Sequence, residues 1–242
     1  MKEEPLKYDI LICDPSPDKR DVLPDGTGRN SKKECVLPDV MLSSLKRVNP
    51  TIGEDKIKEI VKTLRQDYTG TDIVDTNYKL YRQIRNNIKI TVRRNGKEDF
   101  DFVKLIDFEH PKNNTFTAVS QMWIQGKVYY RRPDILIFVN GMPLVFIELK
   151  NSIVKVEEAY NKNLKDYMRD IPNLFAFNQI CVLSNGLETK LGAFNATYDY
   201  FFEWLKIDSE KEKLDREAIL AADNVKDSSV RYFIDGLLNK DR

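Results

Sequence analysis

The chain has 242 residues, enough for one large domain or two small ones. Hydrophobic residues make up 41% and charged residues 32%, which is typical of a globular protein with a core. The chain has neither the run of about eighteen apolar residues that a membrane span needs nor the N-terminal pattern of a signal peptide. The net charge of +1 says little about partners, because dedicated nucleic-acid binders are usually more basic. We therefore expect a cytoplasmic protein that does not enter a membrane.

The few cysteines and the single histidine exclude several kinds of site. Cys13, Cys35 and Cys181 are far apart and form no Cys-x-x-Cys pair, which argues against structural zinc and a disulfide framework. A zinc site with two or more histidine ligands is excluded, since His110 is the only histidine. Because His110 precedes Pro111 in a polar stretch, we interpret it as a loop residue rather than a catalytic base.

The predicted elements begin with an irregular arm over residues 1–35, where turn formers are frequent and periodicity is weak. Apolar residues at helical spacing then predict three helices, over 36–48, 53–66 and 75–85. Apolar runs predict strands at 88–92, 102–108, 115–124, 135–139, 144–149, 180–184 and 189–194, with a helix over 156–169. The charged tail over 205–242 is predicted to be helical in part. This order of elements predicts an α+β fold with a mixed β-sheet flanked by helices.

One stretch, RRPDILIFVNGMPLVFIELKN at 131–151, places charged side chains at the ends of apolar strands. Alternate side chains of a strand share a face, so Glu148 and Lys150 are predicted to point the same way. A carboxylate and an ammonium at the end of a buried strand are costly unless they are paired or bind a metal. If 140–142 form a three-residue loop, Asp134 lies directly opposite Glu148. A two- or four-residue loop shifts the register by one and breaks that pairing.

Two carboxylates and a lysine within reach of one another suit metal-assisted hydrolysis of a phosphodiester. Mg²⁺ prefers hard oxygen ligands, so Asp134, Glu148 and the backbone carbonyl of Leu149 are its predicted ligands. The metal would acidify a water molecule and neutralise the phosphate, and Lys150 would orient that water or stabilise developing charge. The alternative is that Asp134 only starts a strand and that Glu148 and Lys150 form a solvated strand end, since this spacing also occurs by chance.

A longer pattern adds to this interpretation. The arrangement Pro-Asp…Glu-x-Lys resembles the PD-(D/E)xK nuclease superfamily, and the chain resembles one family within it, the N-terminal domain of type I restriction enzyme R (motor) subunits. The resemblance covers roughly residues 20–204 and rests on LIDFEHPKNNTFTAVSQ (105–121), RRPDILIFVNGMPLVFIELKN (131–151), DYMRDIPNLFAFNQICVLSNG (166–186), NYKLYRQIRNNIKI (77–90) and RVNP (47–50). It implies a restriction-endonuclease-like core and a Mg²⁺-dependent DNA endonuclease with Asp134, Glu148 and Lys150 as its catalytic triad.

The resemblance also implies supporting residues. The family carries a Gln-x-x-x-Tyr motif on the following helix. Tyr167 matches the tyrosine, whereas Asn163, which is shorter by one methylene, stands at the glutamine position. A further acidic metal ligand from an early helix would fall at Asp39, with Glu34 as the competitor. The alternative for Asp39 is an ordinary contribution to the start of a helix.

Double-stranded DNA is the implied substrate, and Arg131 and Arg132 are candidate contacts to its phosphates. A solvated arginine pair is the alternative for these two residues. In the family, methylation and specificity subunits are the partners, and ATP drives a translocase motor in the full-length subunit.

The chain lacks the Gly-x-x-x-x-Gly-Lys-[Ser/Thr] phosphate loop of such a motor. We therefore expect a fragment that does not bind ATP. It would consist of an arm (1–35), a nuclease domain (36–204) and a tail (205–242) that leads toward the absent motor domain. The alternative function is a catalytically idle module that binds DNA or docks other subunits, for which Asn163 and the near-zero net charge leave room.

Overall fold

A seven-stranded mixed sheet forms the centre of the computed structural model, which describes residues 7–94, 96–203 and 238. The strands are β1 (Asp9–Ile12), β2 (Ile88–Arg94), β3 (Lys97–Val103), β4 (Phe116–Ser120), β5 (Ile124–Gln125), β6 (Tyr130–Arg131), β7 (Ile135–Val139), β8 (Met142–Leu149), β9 (Ile180–Ser184), β10 (Thr189–Gly192) and β11 (Phe202–Glu203). The sheet has the order β1-β4-β7-β8-β9-β10-β11. The pairs β1–β4 and β8–β9 are parallel, and the other neighbours are antiparallel.

Helices pack around this sheet. They are α1 (Pro38–Val48), α2 (Glu54–Leu64), α3 (Ile73–Asn86), α4 (Val156–Glu158) and α5 (Lys165–Asp170), and a π-helical turn over Ala159–Leu164 joins the last two. No helix in the described part of the chain is long and apolar enough to cross a membrane. The mixed sheet with its flanking helices confirms the predicted α+β class and is consistent with a restriction-endonuclease-like fold.

The two faces of the sheet bury different sets of side chains. Leu136, Phe146 and Leu183 belong to one cluster, which also contains residues of the α4–α5 segment and of the turn that follows it. The opposite face carries a smaller cluster, in which Tyr8 and Leu238 pack against the sheet. A third cluster joins α1, α2 and α3 to the β2–β3 hairpin. The apolar residues whose spacing predicted the first three helices are therefore the residues that these helices bury.

The sequence predicted an irregular arm over residues 1–35. This prediction is wrong in part, because the arm contains a strand. β1 pairs with β4 at the edge of the sheet, and it escaped prediction because it has only four residues, which lack a buried alternation. Further along, Asp25 accepts hydrogen bonds from Arg29 (2.6 Å) and Lys32 (2.7 Å). Burial alone would raise the pKa of Asp25, but the charge of Arg29 and these hydrogen bonds hold it well below its usual value. Arg29 also donates to the carbonyl of Trp123 (3.1 Å), which ties the arm to the core.

Several predicted strands differ from the structure by a few residues at one end, and two depart from it further. The strand predicted at 102–108 instead ends at Val103, because the side chain of Asn49 binds both the N–H and the carbonyl of Lys104 and so ends the ladder. The strand predicted at 115–124 is interrupted at Gln121, whose φ of 58° takes the chain out of the extended conformation. The helix predicted at 156–169 is present but contains the π-helical turn. The predicted tail helices lie outside the described residues.

The turn between β7 and β8 allows a test of backbone constraint. Gly141 has φ 79°, and a Cβ built there would lie 2.6 Å from the carbonyl oxygen of Leu37 and 2.7 Å from the nitrogen of Met41. Gly96 has the same φ but nothing within 4 Å of such a Cβ. We therefore expect Gly96→Ala to lower the free energy of unfolding by about 1 kcal/mol, through backbone strain alone. Gly141→Ala should lower it by about 1–3 kcal/mol more, because α1 must also move.

Urea denaturation of both variants measures this difference. Equal losses at the two glycines would show that α1 does not press on the turn.

Candidate active site

The ends of three neighbouring strands bring polar side chains into one row. β4, β7 and β8 pair so that Ser120 lies opposite Ile135, and Ile135 opposite Ile147. One residue further along, this register places Asp134 between Gln121 and Glu148. Side chains of one row share a face of the sheet. The three therefore point toward the face on which the α4–α5 segment packs.

The β7–β8 hairpin reaches this register by an unexpected route. Its turn has two residues, Asn140 and Gly141, both with positive φ, as a type I′ turn requires. Such a turn alone would set Asp134 opposite Ile147. Instead, Ile137 pairs with Val145 and Phe138 with Pro143, so Leu144 is an extra, bulged residue. The bulge restores the opposition of Asp134 and Glu148 that the sequence predicted for a three-residue loop.

The carboxylate of Asp134 is held on both oxygens. The N–H of Leu149 donates to Oδ2 (2.8 Å), and the side-chain amide of Gln121 donates to Oδ1 (3.1 Å). The backbone of Leu149 is thereby placed beside this carboxylate. Its carbonyl remains a predicted metal ligand.

Glu148 is the most buried of the acidic groups at this site. The residue is 2% exposed, Oε1 accepts a hydrogen bond from Nζ of Lys150 (2.9 Å), and Oε2 has no hydrogen-bond partner among the described residues. Burial raises the pKa of Glu148 to about 7, and the neighbouring charge of Asp134 adds to the rise, whereas Lys150 and Tyr167 oppose it. Glu148 and Lys150 thus form a pair on one face, as their spacing predicted, and not a solvated strand end.

Tyr167 closes the site from the helical side. Its ring packs edge-on against Phe146, with 5.4 Å between the centroids, and its hydroxyl donates to the carbonyl of Arg132 (3.2 Å). Burial raises the pKa of Tyr167, and the charge of Glu148 raises it further, whereas a hydrogen bond with Asn163 lowers it. Asn163 lies in the π-helical turn, one turn of helix before Tyr167, which lies in α5. Such turns often occur at functional sites.

Known proteins resemble this chain along most of its length. The family described as type I restriction enzyme R protein N terminus matches residues 6–200. The chain belongs to that family. It is 34% identical over 189 residues to the type I restriction enzyme HindI endonuclease subunit of Haemophilus influenzae, covering 76% of this chain and 18% of that one. A Methanocaldococcus jannaschii protein, provisionally named type I restriction enzyme MjaIXP endonuclease subunit, is 32% identical over 222 residues, covering 88% and 20%. The chain thus spans about a fifth of the length of these relatives.

The two arginines before Asp134 are engaged within this R-protein domain. Arg131 bonds to Asp170 (Nε to Oδ2, 2.7 Å) and to Asp166 (3.2 Å). The guanidinium of Arg132 lies 5.1 Å from the ring centre of Trp123 and also donates to the carbonyl of Pro15. The two arginines therefore do not form a solvated pair. Their contact with a DNA phosphate remains a prediction. To make it, each arginine would have to bind the phosphate in addition to its present partners or in place of them.

The structure does not bring Asp39 to the carboxylates. α1 begins where the N–H of Leu37 meets the carbonyl of Gly141, at the opposite end of β7 and β8 from Asp134. Asp39 is exposed and lies against Gly28 instead. Its competitor Glu34 accepts hydrogen bonds from Arg65 (2.8 Å) and from the N–H of Asn30 (2.8 Å). An acidic ligand from the early helix therefore has no support in the described contacts.

A second group of possible ligands lies elsewhere in the R-protein domain. Asp107, Glu109 and His110 place oxygen and nitrogen atoms within 4.8 Å of one another. Lys104 lies 3.1 Å from Glu109 and 3.7 Å from Asp107, so a cation already offsets part of the negative charge of these carboxylates. The same loop binds, through Asn114, the hairpin turn at Asn140. This group therefore sits at the turn end of the sheet, and the sequence interpretation of His110 as a loop residue holds.

The donor set around Glu148 suits a hard divalent cation. Mg²⁺ takes oxygen ligands and commonly uses one or two carboxylates. The two carboxylates face one another across β7 and β8, and the buried Oε2 of Glu148 is left without a partner in the described structure. Gln121 is the member of the row that sequence reasoning missed. Its position two residues after buried Val119, on the same face of β4, was the available signal.

Protonation of Glu148 gives a test that needs no metal. The pKa of Glu148 is raised from 4.5 to about 7, so between these values the folded chain holds a proton that the unfolded chain has released. The proton bound to Glu148 in the folded chain therefore stabilises the fold at low pH. This stabilisation is lost as the pH rises through about 7. Glu148→Gln cannot ionise. We expect the variant to match the wild type at pH 4 and to exceed it at pH 8 by about 1–3 kcal/mol.

Urea denaturation in a chelator at the two pH values measures this. Glu109→Gln, at an exposed carboxylate, is the control. A stability difference that does not change with pH would contradict the raised pKa.

Proposed function

We propose that this chain is the nuclease domain of a type I restriction enzyme R subunit and that it hydrolyses DNA phosphodiester bonds with Mg²⁺. One observation supports this most. Asp134, Glu148 and Lys150 meet at the ends of two paired strands, and a buried carboxylate oxygen there lacks a partner. A buried ion pair with an unsatisfied acceptor is costly for a purely structural role. The names of the relatives, endonuclease subunits of type I restriction enzymes, point to the same chemistry.

The proposed roles follow from the contacts. Asp134 and Glu148 would hold Mg²⁺, with the carbonyl of Leu149 as a further ligand. The bound ion would supply charge that favours ionisation of water and offsets the charge of the phosphate. Glu148 would enter that role by losing the proton that its burial favours.

Lys150 has a different task. Its side chain is 22% exposed and its ammonium group lies 2.9 Å from Glu148, so it can reach both the carboxylate and a bound phosphate. It would donate a hydrogen bond to the phosphate or to the attacking water as charge develops. Tyr167, buried against Phe146, would limit how far Glu148 can move.

The predictions about partners belong to the same proposal. Double-stranded DNA is the substrate, and methylation and specificity subunits complete the enzyme in which the chain works. ATP would act on the part of the full-length subunit that this chain does not match. Restriction of DNA places this work in the cytoplasm.

Metal binding tests the proposal without requiring the chain to cut on its own. We expect calorimetric titration with Mg²⁺ or Mn²⁺ to show a site that disappears in the Asp134→Ala, Glu148→Ala double variant. The matched control is Glu109→Ala, His110→Ala, which removes two of the three possible ligands at the turn end. Binding lost in the control instead would move the metal to that cluster, and equal binding in all three proteins would contradict the proposed site.

Cleavage provides the second test. Lys150→Ala should lower the rate of DNA cleavage by about 100-fold or more, because charge in the transition state loses its partner. DNA affinity, measured by anisotropy with Ca²⁺ in place of Mg²⁺, should change little. A wild-type chain that binds DNA and metal but never cuts would favour the idle module, and a Lys150→Ala variant that cuts at the normal rate would rule out the proposed role of the lysine.

A further inference from the structure

Gln121 has a backbone conformation that residues other than glycine rarely adopt. Its φ is 58°, in the left-handed region, directly after β4 ends at Ser120. Its N–H nevertheless still donates to the carbonyl of Asp134 (3.0 Å), so the residue is held in place from its backbone side. Non-glycine residues in this region persist where the surroundings determine them, and they cluster at functional sites.

The side chain of Gln121 makes a contact that sheet pairing does not need. Its amide nitrogen lies 3.1 Å from Oδ1 of Asp134, while the N–H of Leu149 lies 2.8 Å from Oδ2. The nitrogen must be the atom that faces the carboxylate, because the amide oxygen would repel it. The last torsion angle of an aspartate side chain is otherwise only weakly restricted, so the carboxylate plane can rotate. Two donors, one on each oxygen, fix that rotation.

A fixed carboxylate plane decides where its remaining lone pairs point. Each carboxylate oxygen can accept more than one bond, so the two N–H donors leave acceptor positions on Asp134 for a cation. We propose that Gln121 is a positioning residue, which orients the Asp134 carboxylate for metal binding through its side-chain amide. This inference rests on the proposed function, since it concerns the same metal site. Partners of metal ligands commonly change metal affinity by about 10–100-fold when they are removed.

A second glutamine offers a matched control for the loss of one amide hydrogen bond. Gln179 is half-buried like Gln121, and its side-chain nitrogen donates to the carbonyl of Phe177 (3.0 Å). It precedes β9, where Ile180 pairs with Val145, several residues away from Glu148 along β8. Loss of its hydrogen bond should therefore affect folding but not the carboxylates.

The experiment compares Gln121→Met with Gln179→Met. Methionine matches glutamine in length and removes the donor. We expect Gln121→Met to raise the calorimetric dissociation constant for Mg²⁺ by about 10–100-fold, with a shift in denaturation midpoint no larger than that of Gln179→Met. Gln121→Asn, which tolerates the left-handed conformation and keeps an amide, should show an intermediate loss.

The outcomes separate this inference from the function on which it rests. Unchanged Mg²⁺ affinity in Gln121→Met, when the Asp134→Ala, Glu148→Ala variant has lost the site, would overturn the positioning role alone. Equal affinity in the wild type and in that double variant would overturn the metal site and the inference with it. If Gln121→Met does not fold, Gln121→Asn decides, and an affinity equal to that of the wild type would again overturn the role of the amide geometry.

Discussion

The buried carboxyl group of Glu148 is the constraint on which the rest of the site depends. An acidic group that is 2% exposed, at the end of a strand of apolar residues, cannot be stabilised by water. Lys150 offsets part of that cost directly, and Asp134 adds to it by placing a second negative charge across the strand pair. The arrangement is unfavourable in isolation, and under the proposed function a bound cation would offset the two negative charges. A site of this kind trades stability of the empty fold for affinity.

The β7–β8 hairpin has two ends with different tasks. At the turn, Asn140 is completely buried and bonds to Leu105, Asn114 and Thr115, and Gly141 is pressed against the start of α1. This end is bound firmly to the helical part of the domain. The other end carries the carboxylates and meets the α4–α5 segment through Tyr167. The hairpin is therefore held at both ends, at the turn by the helical part of the domain and at the carboxylates by the α4–α5 segment.

Sequence patterns predicted the parts of this fold that follow a regular period. The helices at α1, α2 and α3 and the strands β7 and β9 agree with prediction because apolar residues repeat along them, and the pairing of Glu148 with Lys150 follows from alternation alone. The resemblance to the R-subunit family added the expected nuclease fold and the expected roles of Asp134, Glu148 and Lys150. Features that break a period escaped prediction, and these are the left-handed backbone of Gln121, the bulge at Leu144 and the edge strand β1.

Contacts between site residues and distant segments were harder to predict, for a related reason. The engagement of Arg131 by Asp166 and Asp170 depends on a helix far along the chain, and no local pattern reports such a contact. The position of Asp39 depends on where α1 docks, and the start of α1 packs closely against Gly141. Contacts between distant segments are fixed by packing. Sequence reasoning from one chain therefore gives the strands and their faces better than it gives the surroundings of each side chain.

The bulge at Leu144 has a consequence for how related chains can be aligned. Turn length and bulge together set the count of residues between the two carboxylates, and only their sum matters for which side chains meet. A homologue with one residue fewer in this interval could build the same site with a two-residue turn and a regular strand. A homologue of equal length could dispense with the bulge if its turn had three residues. A one-residue gap that an alignment places in the hairpin therefore does not by itself separate the two acids, provided that the turn or the bulge changes by that one residue.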